Sequence, residues 1–243
     1  MIDVFAPTKK KAEKLFRQAM KTGELGPAIS YYRKYLDQNE SDYEGQNDLG
    51  WMLMQAGRPE EALDCFEAAN AVEESAVHWD NQGQALMKLE RFEEADEAFE
   101  AAMRLDPDDP EPPYHRAAGL RAQDDLEGCM AALEEVIEQH PDFAPALNDY
   151  GLCLAEEERD DEAVDHLERA VESSPMWIPA RLNAIRTLCD LGRYPEATVH
   201  LEELDEMGAD IVIDLGADDV TISLNGQPIY QGELVEGVPG FGE

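Results

Sequence analysis

Apolar residues recur at spacings of three and four through most of this 243-residue chain, the spacing of one face of an α-helix. The stretch from Trp79 to Pro107, WDNQGQALMKLERFEEADEAFEAAMRLDP, shows the unit most clearly. A first helix presents Trp79, Leu86 and Leu89, with Gly83 where a neighbouring helix must come close. A second presents Phe92, Ala95, Phe99 and Ala102, and Pro107 ends it. Neither helix can bury its stripe alone, so the unit requires copies of itself on either side.

Those copies are present. Ala95 has equivalents at Ala28, Ala62, Cys129, Ala163 and Ala197, in steps of 33 or 34 residues. Phe99 has equivalents at Tyr32, Phe66, Leu133, Leu167 and Leu201. Gly83 recurs as Gly50 and Gly151, whereas Phe16, Ala117 and Ile185 stand at that place in the first, fourth and sixth copies. Six units follow, at about 9–42, 43–75, 76–109, 110–143, 144–177 and 178–211, after a leader over residues 1–8.

Punctuation agrees with the period. Gly57 is suited to the left-handed conformation that ends a helix, and Pro59 to the first position of the next. Gly192 and Pro195 repeat the device, while the third unit turns at Glu90–Arg91 without a glycine. The segment Pro107–Arg116, PDDPEPPYHR, predicts a stiff turn with no helix before about Pro113; a hinge there is the alternative.

Beyond Gly208 the pattern changes to β-branched alternation. Asn225-Gly226 is a two-residue hairpin signal, which places Ile222 opposite Ile229 and Thr221 opposite Tyr230. Pro228 assigns its strand to an edge, a third strand is expected at 211–213, and the terminal GVPGFGE should be loose. The β-rich tail, 212–243, either caps the helical array or reaches into a neighbouring molecule.

The helix–turn–helix unit with this alanine and aromatic spacing resembles the tetratricopeptide repeat, and the resemblance covers over four-fifths of the chain. It implies an all-α, right-handed superhelix of six repeats with a short hairpin-like tail. It also implies that first helices line a concave groove. The groove residues are then Asn47, Trp51 and Met54 from the second repeat and Asn81, Gln84 and Met87 from the third. Tyr114, His115 and Arg121 follow from the fourth, and Asn148, Asn183 and Arg186 from the last two. Amides suit an extended peptide backbone, because each offers a donor and an acceptor. Asparagine in this family also serves simply to orient helices. Trp51 is the strongest apolar candidate, with packing against the preceding repeat as the alternative.

Some members of the family clamp an acidic C-terminal tail with bases from three successive repeats. Here the corresponding places hold Glu13, Asn47, Asp48, Val77 and Asp80, so that clamp is not carried over. A basic or neutral protein or peptide is the expected partner.

Charge sharpens that expectation. Acids outnumber bases 55 to 19, for a net charge of −36, which disfavours nucleic acid and anionic membrane surfaces. Residues 1–42 hold eight Lys/Arg against six Asp/Glu, and the remainder eleven against forty-nine. Lys9, Lys10, Lys11, Lys14 and Arg17 therefore form a basic end on an acidic rod. Head-to-tail association of copies through that end is the second functional expectation.

The five histidines and four cysteines show no metal-ligand spacing, no nucleotide-binding loop is present, and paired carboxylates fall on solvent-facing positions. No catalytic, cofactor or metal residues are assigned, and the expected role is a non-catalytic scaffold. Free core cysteines and the lack of an apolar leader or membrane span point to the cytoplasm.

Overall fold

The computed structural model describes residues 6–215 and 219–233. Among these lie twelve α-helices and three strands, so the all-α class with a small C-terminal sheet holds. The expected looseness of GVPGFGE and the start of the leader fall outside the described residues.

The chain divides into two compact units, Met1–Asp125 and Leu126–Glu243. The first contains α1 (Lys9–Thr22), α2 (Leu25–Leu36), α3 (Tyr43–Gln55), α4 (Pro59–Val72), α5 (Ala76–Lys88), α6 (Phe92–Leu105) and α7 (Glu111–Ala122). The second contains α8 (Leu126–Gln139), α9 (Ala144–Glu156), α10 (Asp160–Ser173), α11 (Ile178–Asp190) and α12 (Tyr194–Glu206). It ends in β1 (Ile211–Leu215), β2 (Asp219–Leu224) and β3 (Gln227–Glu233).

Packing follows the periodic positions. The small residues Ala28, Ala62, Ala95, Cys129, Ala163 and Ala197 are all buried, as are Tyr32, Phe66, Phe99, Leu133, Leu167 and Leu201 one turn later. The glycines of the first helices receive these large side chains. A Cβ at Gly50 would lie 2.5 Å from Phe66 Cε1, and one at Gly83 the same distance from Phe99 Cε1. At Gly151 the nearest atom would be Leu167 Cγ, at 2.9 Å. The helix axes of these three pairs are therefore as close as a missing methyl group allows.

The turn within a pair is built the same way five times. One residue takes left-handed φ: Gly57 at 69°, Glu90 at 57°, Asp124 at 60°, Glu158 at 58° and Gly192 at 68°. The next amide then reaches back five residues, as in Arg58 N to Leu53 O at 2.9 Å and Arg91 N to Leu86 O at 3.0 Å. Where arginine follows the turn, it grips a glutamate three residues on. The pairs are Arg58–Glu61, Arg91–Glu94, Arg159–Glu162 and Arg193–Glu196, at 2.5–2.8 Å.

Two details differ from the sequence reading. Helix α7 begins at Glu111, two residues before Pro113, because Pro112 sits in its first turn, where an amide hydrogen has no helical partner anyway. In the sheet, strand order is β1-β2-β3, and both pairings are antiparallel. Asn225 and Gly226 carry the positive φ of the tight turn, and Pro228 lies on an edge strand as expected. A bulge between Ile222 and Ser223, however, sets Ile222 opposite Tyr230 and Thr221 opposite Gln231 rather than Ile229 and Tyr230. Ile222 and Leu224 are buried with Leu188, Cys189 and Tyr194 of α11 and α12. The sheet thus shares a core with the last helix pair.

Gly83→Ala should force Phe99 out of its seat and cost about 1–3 kcal/mol, the usual range for overpacking, read as a lower denaturant midpoint with unchanged m-value. Glu90→Gly should act the other way. It relieves a left-handed non-glycine worth about 1–2 kcal/mol, less the roughly 0.5–1 kcal/mol that glycine's freedom costs, so the midpoint should rise slightly.

Candidate functional site

Within the first unit, α3, α5 and α7 lie side by side and present one common face. The expected groove residues of the second, third and fourth repeats stand on these helices, and several of the candidates are already hydrogen-bonded within their own unit. Asn81 Nδ2 donates to Asn47 Oδ1 at 2.9 Å, one repeat away. Gln84 Nε2 donates to Asp80 Oδ2 at 2.8 Å, and His115 Nδ1 meets Asp80 Oδ1 at 2.9 Å. In the second unit Asn183 Nδ2 donates to Asn148 Oδ1 at 2.8 Å, and Arg186 reaches Asn183 Oδ1 at 3.3 Å. The asparagines thus tie successive first helices together.

The apolar candidates are similarly engaged. Trp51 is half-buried and meets Phe16 of α1 edge-on, with centroids 5.7 Å apart. That is the packing alternative to an open anchor. Met54 and Met87 are half-buried against the same core. Tyr114 lies beside the His115 ring, at 5.4 Å, and Arg121 is exposed in the last turn of α7.

Open space on this side lies further toward the N-terminus. A cavity of about 290 Å³ is bounded by α1, α2, α3 and the start of α5. Four carboxylates line it, Glu13, Asp42, Glu44 and Asp48, against the single base Lys9. Asn47 and His78 complete its wall. Tyr32 and Tyr35, three residues apart on α2, aim their hydroxyls into it. Tyr32 donates to Asp48 Oδ2 and Tyr35 to Asp42 Oδ2, both at 2.7 Å. Lys9 Nζ bridges Asp42 at 3.0 Å and Glu44 at 2.6 Å.

The electrostatics divide the carboxylates. Burial pushes Asp48 above its ordinary value, although the Tyr32 hydroxyl opposes the shift. Asp42 is desolvated too, but the Tyr35 hydroxyl, Lys9 and the Gly45 amide outweigh burial and hold it low. Burial, with the Asp42 hydrogen bond, raises Tyr35 to about 12. Among the described residues Glu13 has no hydrogen-bond or ion-pair partner.

Sequence reasoning missed this cavity. The signals present in the sequence were the tyrosine pair at 32 and 35 and Asp42, which caps α3 by accepting from the Gly45 amide. Among the described residues no three His, Cys, Asp or Glu side chains come together as a metal site. No described helix is long and apolar enough to cross a membrane.

His115 provides a pH-dependent contact. Burial disfavours its charged form, but Asp80, with Glu111 and Asp109 behind it, prevails and raises the imidazole above its ordinary value. The stabilisation is therefore complete below about pH 6.5, the ordinary histidine value, and is lost as pH rises through the folded value. Asp80→Asn should lower the His115 titration midpoint seen by NMR. The stability gap between wild type and this variant should narrow as pH increases.

Comparison with known proteins fits this architecture. Tetratricopeptide repeat profiles match residues 79–109 and residues 13–75 and 116–175. A search of curated proteins finds no match. Among solved structures, PilW, titled a widely conserved type IV pilus biogenesis factor, aligns with a TM-score of 0.64 and 16% identity over 81% of this chain and 92% of its own. PilF of Pseudomonas aeruginosa aligns at 0.62 and 16% over 82% and 90%. MamA aligns at 0.55 and 22% over 66% and 95%. These likenesses concern the fold. With its repeated small and large core positions, its glycine seats and profile matches over more than half its length, the chain belongs to the tetratricopeptide repeat family.

Proposed function

We propose that the chain is a non-catalytic interaction module that takes a basic or neutral peptide of a partner protein on the first-helix face of its first unit. The cavity beside α1 receives a lysine or arginine side chain of that peptide. One observation carries the reading: four carboxylates against one base around a space large enough for a long side chain. A cation entering there exchanges water for Glu13 and the second oxygen of Asp48 without breaking the Tyr32 hydrogen bond. Family membership supports the general role, since its helix pairs serve as scaffolds for other chains.

The asparagine pairs set the limits of this site. Asn47 and Asn81 already satisfy one another, so the peptide backbone meets only their remaining donors and acceptors. Affinity then comes chiefly from the anchored cation, and recognition should tolerate variation elsewhere in the peptide.

A fluorescently labelled alanine-rich peptide carrying one central arginine, measured by anisotropy, tests this. Binding should weaken about tenfold or more, a change of 1.4 kcal/mol, in Glu13→Gln/Asp48→Asn, and a citrulline-containing peptide should bind weakly to wild type. Equal binding of the arginine and citrulline peptides would refute the reading.

A further inference from the structure

A second cavity lies elsewhere in the first unit and is larger, at about 570 Å³. It opens between α4 and α6, with α5 beneath, so it is separate from the cavity beside α1. Its floor is apolar, from the half-buried Trp79 and the buried Leu86, and Leu105 stands exposed at its mouth. Its rim is acidic. Glu67, Glu74 and Glu97 make no ion pair among the described residues, and Arg104, the one base there, faces Glu100 at 3.8 Å.

The complement to this surface is on the same chain. Lys10, Lys14, Arg17 and Lys21 follow one another on α1 at steps of four, three and four, which places them in a single stripe about 16 Å long. All four are exposed, and among the described residues none makes a side-chain hydrogen bond or ion pair. The remaining bases of this helix are engaged: Lys9 holds Asp42 and Glu44, and Lys11 lies over the Tyr31 ring at 4.9 Å. Met20, 53% exposed, flanks the stripe and offers it an apolar contact.

We infer that the α1 stripe of one copy docks in the α4–α6 crevice of another, with Met20 meeting Leu105 at the mouth and Trp79 on the floor and the four bases meeting the glutamate rim. Within one chain α1 is held against α2 and cannot reach its own α6, so the contact joins two molecules. The two surfaces differ, which makes the interface heterologous and the assembly open-ended unless it closes into a ring. The net charge of −36 opposes association at long range, but at about 0.15 M salt charges beyond roughly 8 Å are screened, so the facing groups decide. An interface with only one helix stripe on one side is small, and its dissociation constant belongs in the micromolar range, on the order of 1–100 μM. This inference is independent of peptide binding beside α1.

Sedimentation velocity on the full chain tests it with two surface variants, each checked for wild-type helicity by circular dichroism. Lys10→Glu/Lys14→Glu/Arg17→Glu removes the donor stripe, and Glu67→Lys/Glu97→Lys removes the acceptor. Wild type should show concentration-dependent oligomers, and each variant alone should be monomeric. An equimolar mixture of the two should stop at a heterodimer, because only one productive pairing of stripe and crevice remains. Wild type that stays monomeric at roughly 100 μM, a concentration that would reveal contacts of about −5.5 kcal/mol, overturns the inference. So does undiminished association of either variant, or a mixture that stays monomeric.

Discussion

Three of the helix pairs close on a large side chain resting on a glycine. Phe66 on Gly50, Phe99 on Gly83 and Leu167 on Gly151 set how near the two helices of a pair approach. The alanines one turn earlier, Ala62, Ala95 and Ala163, are buried alongside these seats. A helix of 13 or 14 residues is marginal on its own, so these contacts are what make each pair persist. Where the glycine is absent, the interface changes. Ile185 is fully buried in the core of the last pair, and in the first pair Phe16 turns instead toward Tyr32 and Trp51.

That constraint carries over to the turns. Helices held so close leave room for only a short reversal, and each of five turns meets it with a left-handed residue and the same backward hydrogen bond. Glycine does this without strain at two of them; glutamate or aspartate does it at the other three. The arginine that follows four of these turns is held by a glutamate on the next helix's first turn, where a negative side chain also complements the helix dipole. Part of the chain's charge is therefore local structural chemistry, and the charges left over are the informative ones.

Those unspent charges are unevenly placed. The asparagines of the first helices pair between repeats, and Trp51 is covered by Phe16, so the face expected to be most adhesive is partly self-satisfied. Among the described residues the charges left unpaired include Glu13 in the cavity beside α1, Glu67, Glu74 and Glu97 at the α4–α6 crevice and four bases on α1. The two proposed contacts therefore both pair cation with carboxylate, in keeping with a composition in which acids so far exceed bases.

The linear chain alone determined the repeat period, from small and large residues recurring every 33 or 34 positions, and it determined the buried positions, the helix ends at Gly57 and Gly192 and the hairpin turn at Asn225-Gly226, because each of these depends on residues within about one turn of helix or one β-turn. It also carried the groove candidates by resemblance, with their alternatives: Asn47 and Asn81 as peptide ligands or as helix-orienting pairs, Trp51 as anchor or as packing. Only the tertiary structure supplies their partners within the chain, Phe16 for Trp51 and Asn81 for Asn47, which lie more than 30 residues away and whose approach no local pattern encodes. The Tyr32–Asp48 and Tyr35–Asp42 bonds that shape the cavity beside α1, and the bulge that moved Tyr230 opposite Ile222, join different elements over shorter separations and likewise emerge only in the fold. Periodicity specifies which side of a helix is buried, whereas hydrogen-bond partners and open cavities depend on how neighbouring helices are offset, and that offset exists only once they are packed.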